Sequence, residues 1–319
     1  MDNLDRNDIH IISRNSNWNA ETIQGYLDKY IYNNVKSWQN FLQILFLSLG
    51  VSFTVAGILF FFAYNWNNLH KFIKIGLIEG LLIVLTLIVV FSKVKPLFKG
   101  IILTGTSVLV GVLFAVFGQI YQTGANAYDF FFGWTLAIAI WVFISNFPPL
   151  WLIFILLINL TFGLYLEQVS SGLSTLLIYT IYSIGNSVFL FITLFLKGKN
   201  KKIPNWFEIV LTLTVVTMIT FGMSYGIVDK KVSYFWVLFS ITVILYGLGM
   251  YYGFTKKQNL YLASISFSVI IMISAILLKA INFDSLGVFF ITGLFIIVST
   301  TLVIKGLINL QKKWQNEKS

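Results

Sequence analysis

Residues 41–63 read FLQILFLSLGVSFTVAGILFFFA, a run of 23 without one charged side chain. A helix that crosses the hydrocarbon core of a bilayer needs about 20 mainly apolar residues. Apolar stretches in the core helices of soluble proteins are shorter, so this one reads as a membrane span. Working outward with the same criterion, nine more spans follow, at 72–91, 97–117, 130–145, 150–166, 173–196, 207–227, 232–252, 260–281 and 286–304. The fourth and fifth are short, and only Asn146-Phe147-Pro148-Pro149 separates them. They read either as a tight hairpin of thin spans or as a pair that stops short of a full crossing, and both readings keep the count even.

The whole chain agrees. Of its 319 residues, 57% are hydrophobic and 11% charged, with a mean hydropathy of +0.83. Soluble domains carry roughly 25% charged residues, so a water-soluble globular enzyme is excluded. Disorder is excluded too, because disordered chains are polar and poor in aromatics, whereas Phe alone occurs 31 times here. The fold class expected is all-α, a polytopic helical membrane protein of about ten spans. There is no Cys, so disulfides and thiolate chemistry are ruled out. His10 and His70 lie on opposite sides of the first span, and neither a metal centre nor a cofactor is expected. The first 40 residues are polar, which is not the pattern of a cleavable signal peptide.

Orientation follows from the basic residues. With the N-terminus inside, 17 of the 22 Lys and Arg fall on inner segments; only Lys71, Lys74, Lys230, Lys231 and Lys279 fall outside. This asymmetry predicts that both termini are cytoplasmic. The charge of +10 is dispersed in short clusters between spans, a pattern that suits anionic lipid headgroups rather than nucleic acid. Trp38, Trp151 and Trp206 fall at inner ends, and Trp66, Trp134 and Trp236 at outer ends, where indole rings favour the headgroup boundary.

Four segments result: a cytoplasmic helical piece at 1–40, two five-span halves at 41–166 and 167–304, and a basic cytoplasmic tail at 305–319. In the first, Asn19 reads as an N-cap ahead of Ala20-Glu21-Thr22. Ile23, Leu27, Tyr30 and Ile31 then fall on one helical face. A shorter helix is expected near 4–13. Two five-span halves would permit an inverted repeat, although no internal sequence similarity is visible.

Polar groups inside the spans single out two candidate sites. Glu79 is the one carboxylate well inside a predicted span, about 10 Å from its outer end. Gly76 and Gly80 flank it as a small-xxx-small face, so the first three spans are expected to pack tightly around Glu79. An intramembrane ionisable group points to a proton or cation site, or to a carboxyl bonded to a neighbouring helix. The second candidate is the outer segment 117–129, rich in amide, hydroxyl and aromatic groups, with Gln119, Tyr121, Gln122, Thr123, Asn126 and Asp129 able to bind a neutral solute or headgroup or to build a structured turn. Asn65, Asn67 and Asn68 near Trp66 read as helix-end caps. Asn159 and Asn186, near mid-membrane, read as interhelical hydrogen-bonding residues.

Two stretches carry a resemblance. Tyr64-Asn65-Trp66 after an apolar helix, then Phe117-Gly118-Gln119-Ile120-Tyr121-Gln122-Thr123-Gly124-Ala125, resembles the bacterial predicted membrane protein family called domain of unknown function 2157. The likeness covers about the first half of the chain. It implies a multi-pass protein of a bacterial inner membrane and brings no catalytic residue with it. Three functions compete on these residues: transport of a small polar solute or a lipid, a non-catalytic scaffold, sensor or subunit with a membrane protein partner, and an intramembrane enzyme. The last lacks a convergent nucleophile and base, so the chain is not expected to be an enzyme.

Overall fold

The computed structural model describes residues 6–30, 35–64, 69–121, 124, 126–170, 172–199, 203–229, 233–280 and 286–317. Twelve helices are present among them: α1 (Arg6–Arg14), α2 (Ala20–Tyr30), α3 (Val35–Tyr64), α4 (Lys71–Phe91), α5 (Pro96–Tyr121), α6 (Ala127–Ser145), α7 (Pro148–Gln168), α8 (Thr175–Gly198), α9 (Asn205–Val228), α10 (Phe235–Thr255), α11 (Asn259–Ala280) and α12 (Leu286–Asn316). The ten from α3 to α12 are long and apolar enough to cross a bilayer. Their exposed Phe, Leu, Ile and Val side chains would meet lipid tails, so in this solvent exposure costs nothing.

The helix ends show what apolar windows miss. α6 and α7 run to 19 and 21 residues, about 28 and 32 Å at 1.5 Å per residue, enough for full crossings. Their extra residues are polar or Pro. The Asn126 amide N–H donates to the Asp129 carboxylate at 3.1 Å, which caps the start of α6. Asn146 takes a left-handed conformation (φ 49°) between the two helices, which its short polar side chain tolerates. Pro148 then opens α7, where its missing N–H is no loss. α12 continues 12 residues beyond the predicted span, so the basic tail is its last three turns.

The N-terminal piece is the expected pair. Thr22 N–H donates to Asn19 Oδ1 at 2.8 Å, so Asn19 does cap α2. Leu27 is buried on α2 and Ile9 on α1, and the two helices pack on each other. Trp18 stacks on Tyr26 with ring centroids 4.4 Å apart.

The chain forms two compact units. Unit 1 comprises residues 1–125 and 133–150; unit 2 comprises 126–132 and 151–319. In unit 1, α5 is the central element, buried along most of its length. Small residues make that possible. A Cβ on Gly111 would lie 2.5 Å from the Trp134 ring, one on Gly100 2.5 Å from Phe147, and one on Gly105 would strike Val51 Cγ1. Trp134 also donates its indole N–H to the Ser107 carbonyl at 2.7 Å. It is therefore a packing residue, not the headgroup anchor that its position near a span end suggests. In unit 2, α9 packs between α8 and α11 over a core of Leu176, Leu211, Val215, Ile219 and Leu238.

Candidate functional site

Unit 1 holds an apolar groove of about 310 Å³ formed by α3, α4 and α5. Phe46, Leu47, Ile58, Leu81, Leu85 and Leu109 supply most of its wall. Val51 sits against Gly105, which brings α3 close to α5 and shapes the floor. Its two hydroxyls are turned back on their own helices: Thr54 donates to the Gly50 carbonyl at 2.7 Å and Thr106 to the Ile102 carbonyl at 2.8 Å. No dangling donor or acceptor is left in the wall, so the groove offers dispersion and hydrophobic contact. Gly50 lines it, and a Cβ there would meet nothing within 4 Å.

Glu79 lies elsewhere. The inward face of α4 is set by Lys74, Ile78 and Val89, and Ile78 packs with Phe62, Leu109, Val112 and Val116. Glu79, Gly76 and Gly80 are exposed on the opposite arc, and a Cβ on either glycine would meet nothing within 4 Å. The three helices α3, α4 and α5 do associate, but not around Glu79. The expectation failed because, of the glycines on these three helices, those that admit close neighbours are on α5, where aromatic and β-branched side chains fill the space they leave.

The second candidate segment is mostly helix. Gln119 and Tyr121 form the last turn of α5 and are exposed, with the Tyr121 ring 4.5 Å from that of Phe117. Asn126 and Asp129 are engaged with each other in the cap of α6. Gln122 and Thr123 lie outside the described residues, as do Asn65, Trp66, Asn67 and Asn68. Beyond the cap, Tyr128 N–H donates to Gln168 Oε1 at 3.1 Å.

Unit 2 contains three buried polar clusters. At the α8–α9 turn, Lys197 Nζ lies 2.5 Å from Glu208 Oε2 and donates to Asn205 Oδ1 at 2.7 Å. Tyr261 of α11 donates its hydroxyl to the other Glu208 oxygen at 2.8 Å. Lys197 stands in the last turn of α8 and Glu208 in the first turn of α9, so each charge also complements the dipole of its own helix. Deeper, Asn159 of α7 and Asn186 of α8 exchange amide hydrogen bonds at 3.1 and 2.8 Å. Tyr182 donates to the Asn159 carbonyl at 3.0 Å through the space left by Gly163. This is the interhelical bonding expected of the two Asn. The third cluster joins α9, α10 and α11: Ser268 Oγ lies 2.6 Å from Thr220 Oγ1 and 2.5 Å from the Tyr246 hydroxyl.

Sequence reasoning passed over Glu208 because it falls on the second residue of a predicted span, where a carboxylate looks wetted by headgroups. The signal available was the pair itself: Lys at a helix end, Glu at the next helix start, with a short polar turn between. Among the described residues, no three His, Asp or Glu side chains converge as a metal site would require.

Residues 19–151 match the family model described as predicted membrane protein (DUF2157). That stretch, rather less than half of the chain, is what the chain shares with the DUF2157 family. The matched stretch runs from the Asn19 cap of α2 through the opening of α7 and includes the groove, Glu79 and the whole 117–129 segment. The three polar clusters fall outside the DUF2157 match. No curated protein and no solved structure matches the chain.

Proposed function

We propose that this protein is a non-catalytic lipid-handling membrane protein, which holds or moves an acyl-chain-bearing molecule through the groove of unit 1. The observation that carries this reading is the groove itself: about 310 Å³, walled by aliphatic and aromatic side chains, with both hydroxyls satisfied within their own helices. That volume is at the lower end of the range for small-molecule sites, and its chemistry suits a hydrocarbon chain. The polar-solute alternative draws less support, because the three polar clusters of unit 2 are bonded within themselves. The excess of Lys and Arg on one set of segments supports cytoplasmic termini, and a bacterial inner-membrane location is what the likeness to the DUF2157 family implies.

Gly50→Leu tests the reading. Gly50 lines the groove and its Cβ position is open, so the added side chain takes up groove space. Displacing two methylenes of bound chain at about 0.8 kcal/mol each is worth about tenfold in retention or transfer. The measurement is lipid co-purification by native mass spectrometry, together with exchange of a labelled phospholipid between proteoliposomes. Normal folding with unchanged lipid retention and exchange would remove the groove from consideration.

A further inference from the structure

We infer, building on the lipid reading, that the groove of unit 1 takes an anionic phospholipid from the leaflet bordering the α4–α5 turn, with its phosphate held by Lys99 and Ser92. The two ends of the groove differ in chemistry. Toward one end, the lining faces of the three helices lead into Phe62, Ile78, Val112 and Val116, which are buried and packed together. An acyl chain meets a closed apolar stop there. Toward the other end, the same faces lead to polar residues. Gln43 lies three residues before the groove-lining Phe46 on α3, Lys99 three before Ile102 on α5, and Ser92 seven beyond Leu85, at the end of α4. Residues at these spacings share a helical face.

Two observations at this end point to an anionic group. Ser92 Oγ is buried without a hydrogen-bond partner, a state that few buried polar atoms keep. Ser92 as a whole is only half-buried, so rotation about one bond can turn its hydroxyl to a ligand oxygen. Lys99, also half-buried, gives its ammonium to no described residue. It stands in the first turn of α5, where a cation opposes the helix dipole until an anion joins it. Lys93 and Lys95 stand in the same turn, and no acidic residue lies between Glu79 and Asp129 to offset them. A phosphate supplies an acceptor for the hydroxyl and a counter-charge for Lys99. A zwitterionic headgroup would bring its own cation toward Lys93 and Lys95, so this basic turn suits a lipid of net negative charge.

The test offers the full chain in detergent phosphatidylglycerol and phosphatidylcholine with identical acyl chains, and native mass spectrometry counts the lipids retained. The chain should retain phosphatidylglycerol about fivefold over phosphatidylcholine, the worth of one Lys at an anionic surface. Lys99→Gln should abolish that preference, and Lys99→Arg should restore it. Lys305→Gln, which removes an exposed cation from α12, should leave it unchanged. Ser92→Ala should weaken retention of both lipids alike, since both carry a phosphate. Gly50→Leu should lower both and keep the preference. Thermal unfolding establishes that each variant is folded. Equal retention of the two lipids, both sensitive to Gly50→Leu, would overturn the headgroup assignment and leave the groove as an acyl site. A preference that survives Lys99→Gln, or falls as much with Lys305→Gln, would place the anion elsewhere and overturn it too. Retention indifferent to Gly50→Leu would remove the groove reading and the headgroup assignment together.

Discussion

Both units pack helices through glycines that admit a neighbouring side chain, as Gly222 admits Tyr179 in unit 2, but unit 2 adds polar ties that are its own. Unit 1 brings α5 into contact with its neighbours through glycines that admit aromatic rings, as Gly111 admits Trp134 and Gly100 admits Phe147. Unit 2 ties α7, α8, α9, α10 and α11 by side-chain hydrogen bonds centred on Asn186, Glu208 and Ser268. The first solution is steric: it works only if nothing is added. The second is chemical: it works only if nothing is taken away. Lipid tails are as apolar as Leu, so burial of hydrocarbon alone does not bind one span to another, and both solutions are known substitutes for it.

The two solutions are broken by opposite substitutions, and the largest effect is expected at Glu208. Glu208→Ala leaves the Tyr261 hydroxyl without its acceptor and Lys197 without its counter-charge. Losing one partner of a buried ion pair costs about 3 kcal/mol; Lys197 retains some access to water, which keeps the loss from being larger. Thermal unfolding in detergent measures it, and Glu208→Gln should recover part of it through the bond from Tyr261. Gly111→Ala comes next. The Trp134 ring that it strikes is pinned by its bond to Ser107, so the cost should be about 2 kcal/mol of overpacking. If Gly111→Ala is neutral while Glu208→Ala is severe, unit 1 is less tightly packed than its glycines imply and the comparison breaks. The smallest effect belongs to the Asn pair. A double-mutant cycle of Asn159→Leu and Asn186→Leu should give a coupling of about 1 kcal/mol. Additive losses would mean that the two amides are held by their own helix carbonyls at Ile155 and Tyr182 rather than by each other.

Most of the fold was legible because hydropathy reports the solvent around each helix. The ten spans follow from runs of Phe, Leu, Ile and Val, and both Asn19 and the Asn159–Asn186 pair behave as their chemistry suggests. Helix ends were less legible, since residues such as Asn126, Asp129 and Pro148 are polar or helix-breaking yet terminate helices from within. The site was least legible. Periodicity says which residues share a face, but it does not say which face meets another helix. Gly76 and Gly80 look like packing glycines and face outward, while Gly105 and Gly111 on the next helix carry the contacts. Glu208 lay next to a span end, and only the fold of α9 against α11 shows that Tyr261 closes over it.

α12 has one more consequence. Its 31 residues make a rod about 46 Å long, against roughly 30 Å of hydrocarbon. The surplus is a rigid stalk, and Lys257 braces its tip by an ion pair to Glu317 at 2.8 Å. A fluorophore attached near Asn316 would thus turn with the transmembrane rod instead of tumbling on a loose tether, and its anisotropy would read out rotation of the last crossing directly.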